Sequence, residues 1–271
     1  MKIKTNIAII LMGILLVGCK QKTSEANATM SPETEASENS SATQITLEKL
    51  ESSPSFSEAS LKLMKPSEEN ITNENDSVAF NFDVKNYELG AQTNSNLTQM
   101  LANSDKGQHI HFIVDNDPYS AHYESNFKKE LTPGTHYLVA FLSRSYHESV
   151  KNPNAFVAKK VTIGKTASNG PKVDLNTPTI IYSRPKGEYA GKDTENLLLD
   201  FYLLNTTLSE GGNYVKATIN GQYFELTEWV PYIIKGLPKG EVTVKLELVD
   251  KDGNLLPGAF NSVERKVTLK E

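Results

Sequence analysis

Thiol chemistry is almost missing from this chain, which has one cysteine, Cys19, among 271 residues. With no second thiol there is neither an intrachain disulfide nor a Cys-rich metal site, so each folded unit must be held by its apolar core. Positive charge is also scarce. Lysine and arginine number 28 against 33 acidic residues, a formal net charge of −5, and no basic stripe runs along the sequence. Nucleic acids are bound largely by neutralising phosphates with Lys and Arg, so no nucleic-acid partner is expected. Long segments of 3.6-residue periodicity are missing too, as are the G-x-S-x-G, H-E-x-x-H and P-loop signatures that would mark common enzyme classes. A non-enzymatic protein is the expectation.

The apolar run near the N-terminus is short, extending from Ile7 to Val17 behind Lys2 and Lys4. A helix crossing a hydrocarbon core of roughly 30 Å needs about 20 apolar residues, so a targeting segment is favoured over a membrane span. Leu16, Val17, Gly18 and Cys19 match a lipobox, and residues 1–18 resemble the signal peptide of a bacterial lipoprotein. The resemblance implies cleavage before Cys19, diacylglycerol on its sulfur and an acyl chain on the new amino group. Several chains on one residue anchor durably where a single chain binds reversibly. The implied partner is membrane lipid, and the implied location is the cell envelope. Lys20 is compatible with outer-membrane sorting, facing the periplasm or the cell surface.

Residues 19–57, apart from Cys19, are dominated by Ser, Thr, Glu, Ala and Asn, a composition too poor in apolar surface to offset the entropy of ordering. A disordered tether is expected there, with at most a helical turn at ITLEKL, Ile45 to Leu50. The remainder contains an internal repeat. LTPGTHYLVAFLSR (from Leu131) lies over LPKGEVTVKLELVD (from Leu237), and Gly134 and Gly240 are 106 residues apart, as are Val161 and Val267. Upstream, GQHIHFIVDN lies over GNYVKATING, and VAFNFDVKNYEL over LLLDFYLLNTTL. Each copy reads as short alternating runs punctuated by Pro, Gly, Asn and Asp. The expected fold is therefore all-β: two tandem immunoglobulin-like β-sandwiches, residues 58–166 and 173–271, with the boundary in residues 164–172. A chain beginning near Glu58 is expected to be soluble and monomeric, and one beginning near Val173 to fold alone.

Three of the five histidines fall within Gln108–Glu124. Alternation puts Ile110, Phe112 and Val114 in the core of the first copy, and His109, His111 and Ile113 on the opposite face. A two- or four-residue turn centred on Asn116 and Asp117 pairs positions whose numbers sum to 233, placing His111 opposite His122 and His109 opposite Glu124. Cross-strand partners lie about 5 Å apart at Cβ, so His109, His111, His122 and Glu124 could converge on zinc or copper. The competing expectation is an ordinary solvent-exposed polar face. His136 aligns with the inward Val242 and is not counted as a ligand.

Two further features distinguish the copies. Tyr137, Val139 and Phe141 stand where the second copy has the polar Thr243, Lys245 and Glu247, an outward apolar stripe that calls for a cover, most simply the other copy. Just beyond, SRSYHESVKNP gathers Arg144, Ser145, His147 and Lys151, which could hold a phosphate, sulfate or carboxylate, unless Arg144 is satisfied by Glu148 within the loop. The runs HIHFIVDNDPY and AFLSRSYHESVKNP resemble an uncharacterised family of bacterial lipoproteins often labelled phosphopeptide-binding. That label implies a phosphothreonine reader of forkhead-associated type, which pairs a Gly-Arg in one loop with Ser-x-x-His in a later one. This chain has Ser143, Arg144, Ser145 and His147 in one loop and no Gly-Arg dipeptide. The leading expectation is a membrane-anchored binding or interaction module acting through its first copy on an envelope protein or small ligand. Copper or zinc binding and phosphate- or phosphopeptide-type anion binding are the alternatives.

Overall fold

The computed structural model describes residues 44–71, 77–164 and 173–271, so the signal segment, Cys19 and most of the connection between the copies lie outside the described residues. The first strand, β1 (Thr46–Lys49), belongs to the second sandwich. The first sandwich has one sheet of β2 (Ser60–Lys65), β4 (Ser77–Lys85) and β7 (Asn126–Glu130), in the order β2-β4-β7. Its other sheet uses β3 (Asn70–Ile71), β5 (His109–Val114), β6 (Ser120–His122), β8 (Gly134–Ser143) and β9 (Phe156–Ile163), ordered β3-β9-β8-β5-β6. One helical turn, α1 (Leu97–Met100), lies between β4 and β5.

The second sandwich repeats this plan. Strands β10 (Thr179–Arg184), β12 (Leu197–Leu204) and β15 (Tyr232–Lys235) form one sheet with β1, ordered β1-β15-β12-β10. Strands β11 (Gly187–Tyr189), β13 (Tyr214–Ile219), β14 (Gln222–Leu226), β16 (Gly240–Val249) and β17 (Ser262–Leu269) form the other, ordered β11-β17-β16-β13-β14. The duplication extends to detail. Asn86 and Asn205, aligned at the ends of β4 and β12, both adopt positive φ, and the isolated bridges Ser143–Ser149 and Val249–Leu255 occupy matching places. Each copy is thus a sandwich of immunoglobulin-like strand order, as the alternation and turn residues implied.

The tether expectation is corrected for its last residues. Residues 46–49 are a strand, not a helical turn, because Ile45 and Leu47 pack on the apolar core of the second sandwich while the β15 edge supplies backbone partners. Lys49–Glu228 and Lys235–Glu48 add exposed ion pairs, each worth little. The chain then crosses to the first sandwich. There Asn152 Nδ2 donates to the carbonyls of Phe56 and Ser57, and Arg144 Nη2 donates to that of Pro54 at 2.6 Å.

Phe80, Phe82, Ile110, Phe112 and Leu138 lead the first core, and Leu197, Leu199, Phe201, Val244 and Leu246 the second. A third apolar cluster lies between the sandwiches, where Ile113, Tyr119, Tyr137, Val139 and Phe141 meet Ile181, Tyr202, Leu204 and Phe260. The expected cover for the apolar stripe is therefore the second copy. Phe141 stacks on Tyr202 with ring centroids 5.0 Å apart, and Tyr137 meets Phe260 edge-on at 6.1 Å. Strand β12 is buried along its whole length because its two faces serve two cores. Among the described residues, no helix is long and apolar enough to cross a membrane.

Candidate metal centre

Side chains alternate along β5, so His109 and His111 share the face opposite Ile110 and Phe112. The face is as expected from sequence, but it is not solvated. Both histidines are fully buried, because the second sandwich and the loop after β8 cover that side of the sheet.

The expected pairing with β6 fails by one residue. Asp115 and Asn116 both adopt positive φ, and the observed pairs are Ile110–His122, His111–Ala121 and Phe112–Ser120, whose numbers sum to 232. A one-residue slip moves every side chain to the other face. His122 consequently stacks on Phe127 at 3.4 Å, on the first sandwich's core side, with Nε2 2.9 Å from Ser120 Oγ. Glu124 lies past the end of β6 and is exposed. Neither residue joins the β5 histidines.

His147 takes their place. In the β5–β8 register His109 faces Ser143, so the turn that follows β8 folds back over the end of β5. That turn is closed by His147 N donating to Arg144 O and Arg144 N donating to Glu148 O, with His147 itself at φ 73°. Thr93 and Ser145 bond reciprocally, Thr93 N to Ser145 Oγ and Ser145 N to Thr93 Oγ1, while Tyr146 is buried beneath. From the second sandwich, the fully buried Asp200 accepts from Ser149 N, Ser149 Oγ and the Lys151 ammonium.

The result is three imidazoles whose ligating nitrogens lie within 4.8 Å of one another. His109 Nε2 is 2.9 Å from His111 Nε2 and 3.1 Å from His147 Nδ1. His109 Nδ1 donates to Gly107 O at 2.8 Å, which fixes its proton there and leaves Nε2 with a bare lone pair when the ring is neutral. Gly107 must be glycine. Its φ is +81° and a Cβ would lie 2.4 Å from Gly90 O. His111 Nδ1 lies 3.1 Å from Ser183 Oγ of β10. The Tyr119 ring stacks on His111 at 3.5 Å, with its hydroxyl 3.2 Å from His147 Nδ1.

Burial dominates the electrostatics. It lowers the pKa of His109 to about 4, against a smaller opposing effect from the Gly107 bond. His111 is held well below the usual range by burial and then by its histidine neighbours, His147 by burial and then by Arg184. All three rings are neutral at physiological pH, the form that ligates metal.

The anion-binding candidates are brought into one loop but occupied within the protein. Arg144 Nη1 lies 3.1 Å from Glu148 Oε1, and the guanidinium also donates to two carbonyls. Lys151 is paired with Asp200, Ser145 with Thr93, and His147 turns toward His109. The loop's cations thus face partners of this chain.

No protein-family model matches the chain, and no curated protein matches it. Among solved structures, similarity is found to the fibronectin(III)-like modules of Clostridium thermocellum CbhA, at 14% identity, over 78% of this chain and 94% of that one, with a TM-score of 0.27. The Bacteroides ovatus mixed-linkage glucan utilization protein SGBP-B, solved with a mixed-linkage heptasaccharide, is similar at 12% identity over 77% of this chain and 47% of its own, with a TM-score of 0.23. A fibronectin-III array of RIM-binding protein is similar at 11% identity over 78% of this chain and 68% of that one, with a TM-score of 0.24. At these scores nothing functional follows from the likeness, and the fold assignment rests on the strand order of the chain itself.

Proposed function

We propose that this protein is a metal-binding module of the bacterial cell envelope, anchored through Cys19 and holding zinc or copper at His109, His111 and His147. The observation that carries the reading is the accounting of lone pairs. His109 Nε2 has one lone pair and two imidazole nitrogens at hydrogen-bond distance. Protons satisfy this arrangement only at a cost: His111 can donate into that lone pair, but His147 Nδ1, which can accept from the Tyr119 hydroxyl 3.2 Å away, is then left with its own lone pair facing it. A cation resolves the conflict by accepting from all three nitrogens. The outer nitrogens support it, because His109 Nδ1–H has Gly107 O and His111 Nδ1–H has Ser183 Oγ as acceptors, the kind of outer contact that orients ligating histidines. Neutral imidazoles suit zinc and copper ions.

The test is elemental analysis of the protein purified without a histidine tag, followed by metal-dependent thermal unfolding. A hundredfold excess of ion over its dissociation constant should stabilise the wild type by about 2.7 kcal/mol. His111→Ala and His147→Ala should abolish that gain, whereas His122→Ala should keep it, since His122 faces away toward Phe127. Equal behaviour of all three variants would remove the centre.

A further inference from the structure

We infer that the ion selected by this centre is monovalent copper, Cu+, held three-coordinate with His109 between His111 and His147; the inference rests on the metal-binding reading above. Charge is the first argument. The cluster of potential ligands contains three histidines and no carboxylate. Two cations of the second sandwich stand close by. Arg184 is 7% exposed, sits in no ion pair among the described residues, and spends its donors on Tyr189 Oη and Lys186 O while Nε has no partner. The Lys186 ammonium lies 4.1 Å from the centroid of Tyr119. His111 covers one face of that ring at 3.5 Å, so the ammonium occupies the other, and Tyr119 separates cation from imidazole. Asp200, the acid whose charge Tyr119 feels, is already bonded to Lys151 and Ser149. The cost of desolvating an ion rises with the square of its charge, so a dication here costs about four times as much as a monocation, and repulsion from Arg184 and Lys186 doubles.

Spacing is the second argument. At metal–nitrogen distances of about 2.0–2.1 Å, tetrahedral zinc separates its nitrogen ligands by about 3.3 Å. Ligands at right angles are separated by about 2.9 Å at the same bond lengths. The two separations at His109 are 2.9 and 3.1 Å. Both are shorter than the zinc value, and His109 lies between the other two, all three nitrogens being within 4.8 Å of one another, a three-coordinate layout open to Cu+ with neutral donors. Divalent copper prefers a tetragonal set of N and O donors, and here the cluster offers three nitrogens. His147, the least buried of the three, gives the ion its way in from the loop side.

The experiment is an anaerobic competition titration of the full chain against a chromogenic Cu+ chelator, with a parallel Zn2+ titration against a zinc chelator. One Cu+ per chain is expected, bound at least about 100-fold more tightly than Zn2+, with an X-ray absorption spectrum showing three nitrogen donors. His147→Ala should lose the Cu+ site. Ser183→Ala, which leaves every ligand in place and guards against a misfolded loop variant, should weaken it by about 10-fold. Zn2+ bound as tightly as Cu+ through the same three histidines would overturn the choice of ion and leave the metal centre standing. Binding of neither ion, or equal Cu+ binding by wild type and His147→Ala, would overturn both.

Discussion

At the scale of single residues, burial of neutral histidine ties stability to pH. The folded-state pKa of His109 is lowered to about 4 from an ordinary 6.5, so on acidification the unfolded chain takes up protons before the folded one does. Its contribution is therefore complete above pH 6.5 and is lost as pH falls from 6.5 through about 4. From His109 alone the loss is about 3 kcal/mol. His111 and His147 shift in the same direction. Denaturant titrations of the metal-free protein at pH 7.5, 6 and 5 should show stability falling steeply, and His109→Gln should flatten the dependence. An unchanged slope in the variant would mean that the imidazole is hydrated in solution.

At the scale of elements, the outcome turned on one hairpin and one strand. Alternation in HIHFIV was enough to place Ile110 and Phe112 on one face and the histidines on the other. The register with β6 was not legible, because Asn116 and Asp117 suit several turn lengths and the observed turn uses positive φ at Asp115 and Asn116. His147 was visible in the sequence only as a loop residue. Its nearness to His109 follows from the pairing of β5 with β8, a contact no local pattern reports. β1 was missed for a similar reason. A four-residue strand in a polar context gains its stability from a distant partner, and Thr46–Lys49 pairs with residues 232–235. This revises the expectation for a chain beginning near Glu58. Without β1 the β15 edge is open, and the burial of Ile45, about 2 kcal/mol, is lost. Compared with a chain starting at Ala42, the shorter one should melt lower and self-associate on size-exclusion chromatography. Identical melting and a monomeric profile would show β1 to be dispensable.

At the scale of the whole molecule, the two sandwiches are duplicates in strand order but not in role. The second copy has Tyr214 and Lys216 where the first has His109 and His111, and it uses the sheet of β10 and β12 to close the first copy's histidine face. Tyr202 is central to that closure. It is 1% exposed, stacks on Phe141 and meets Trp229 edge-on at 4.9 Å. Tyr202→Ala should cost about 3–5 kcal/mol. Because the ring belongs to a core shared by both copies, hydrogen exchange should accelerate in β5 and β8 as well as in β10 and β12. The same variant should weaken metal binding without touching a ligand, since Ser183 contacts His111 and Asp200 holds the loop of His147 from the second sandwich. Loss of such outer support typically costs 10–100-fold in affinity. A loss of protection confined to β10 and β12, with metal affinity unchanged, would mean that the first sandwich builds the centre alone and the second is only attached to it.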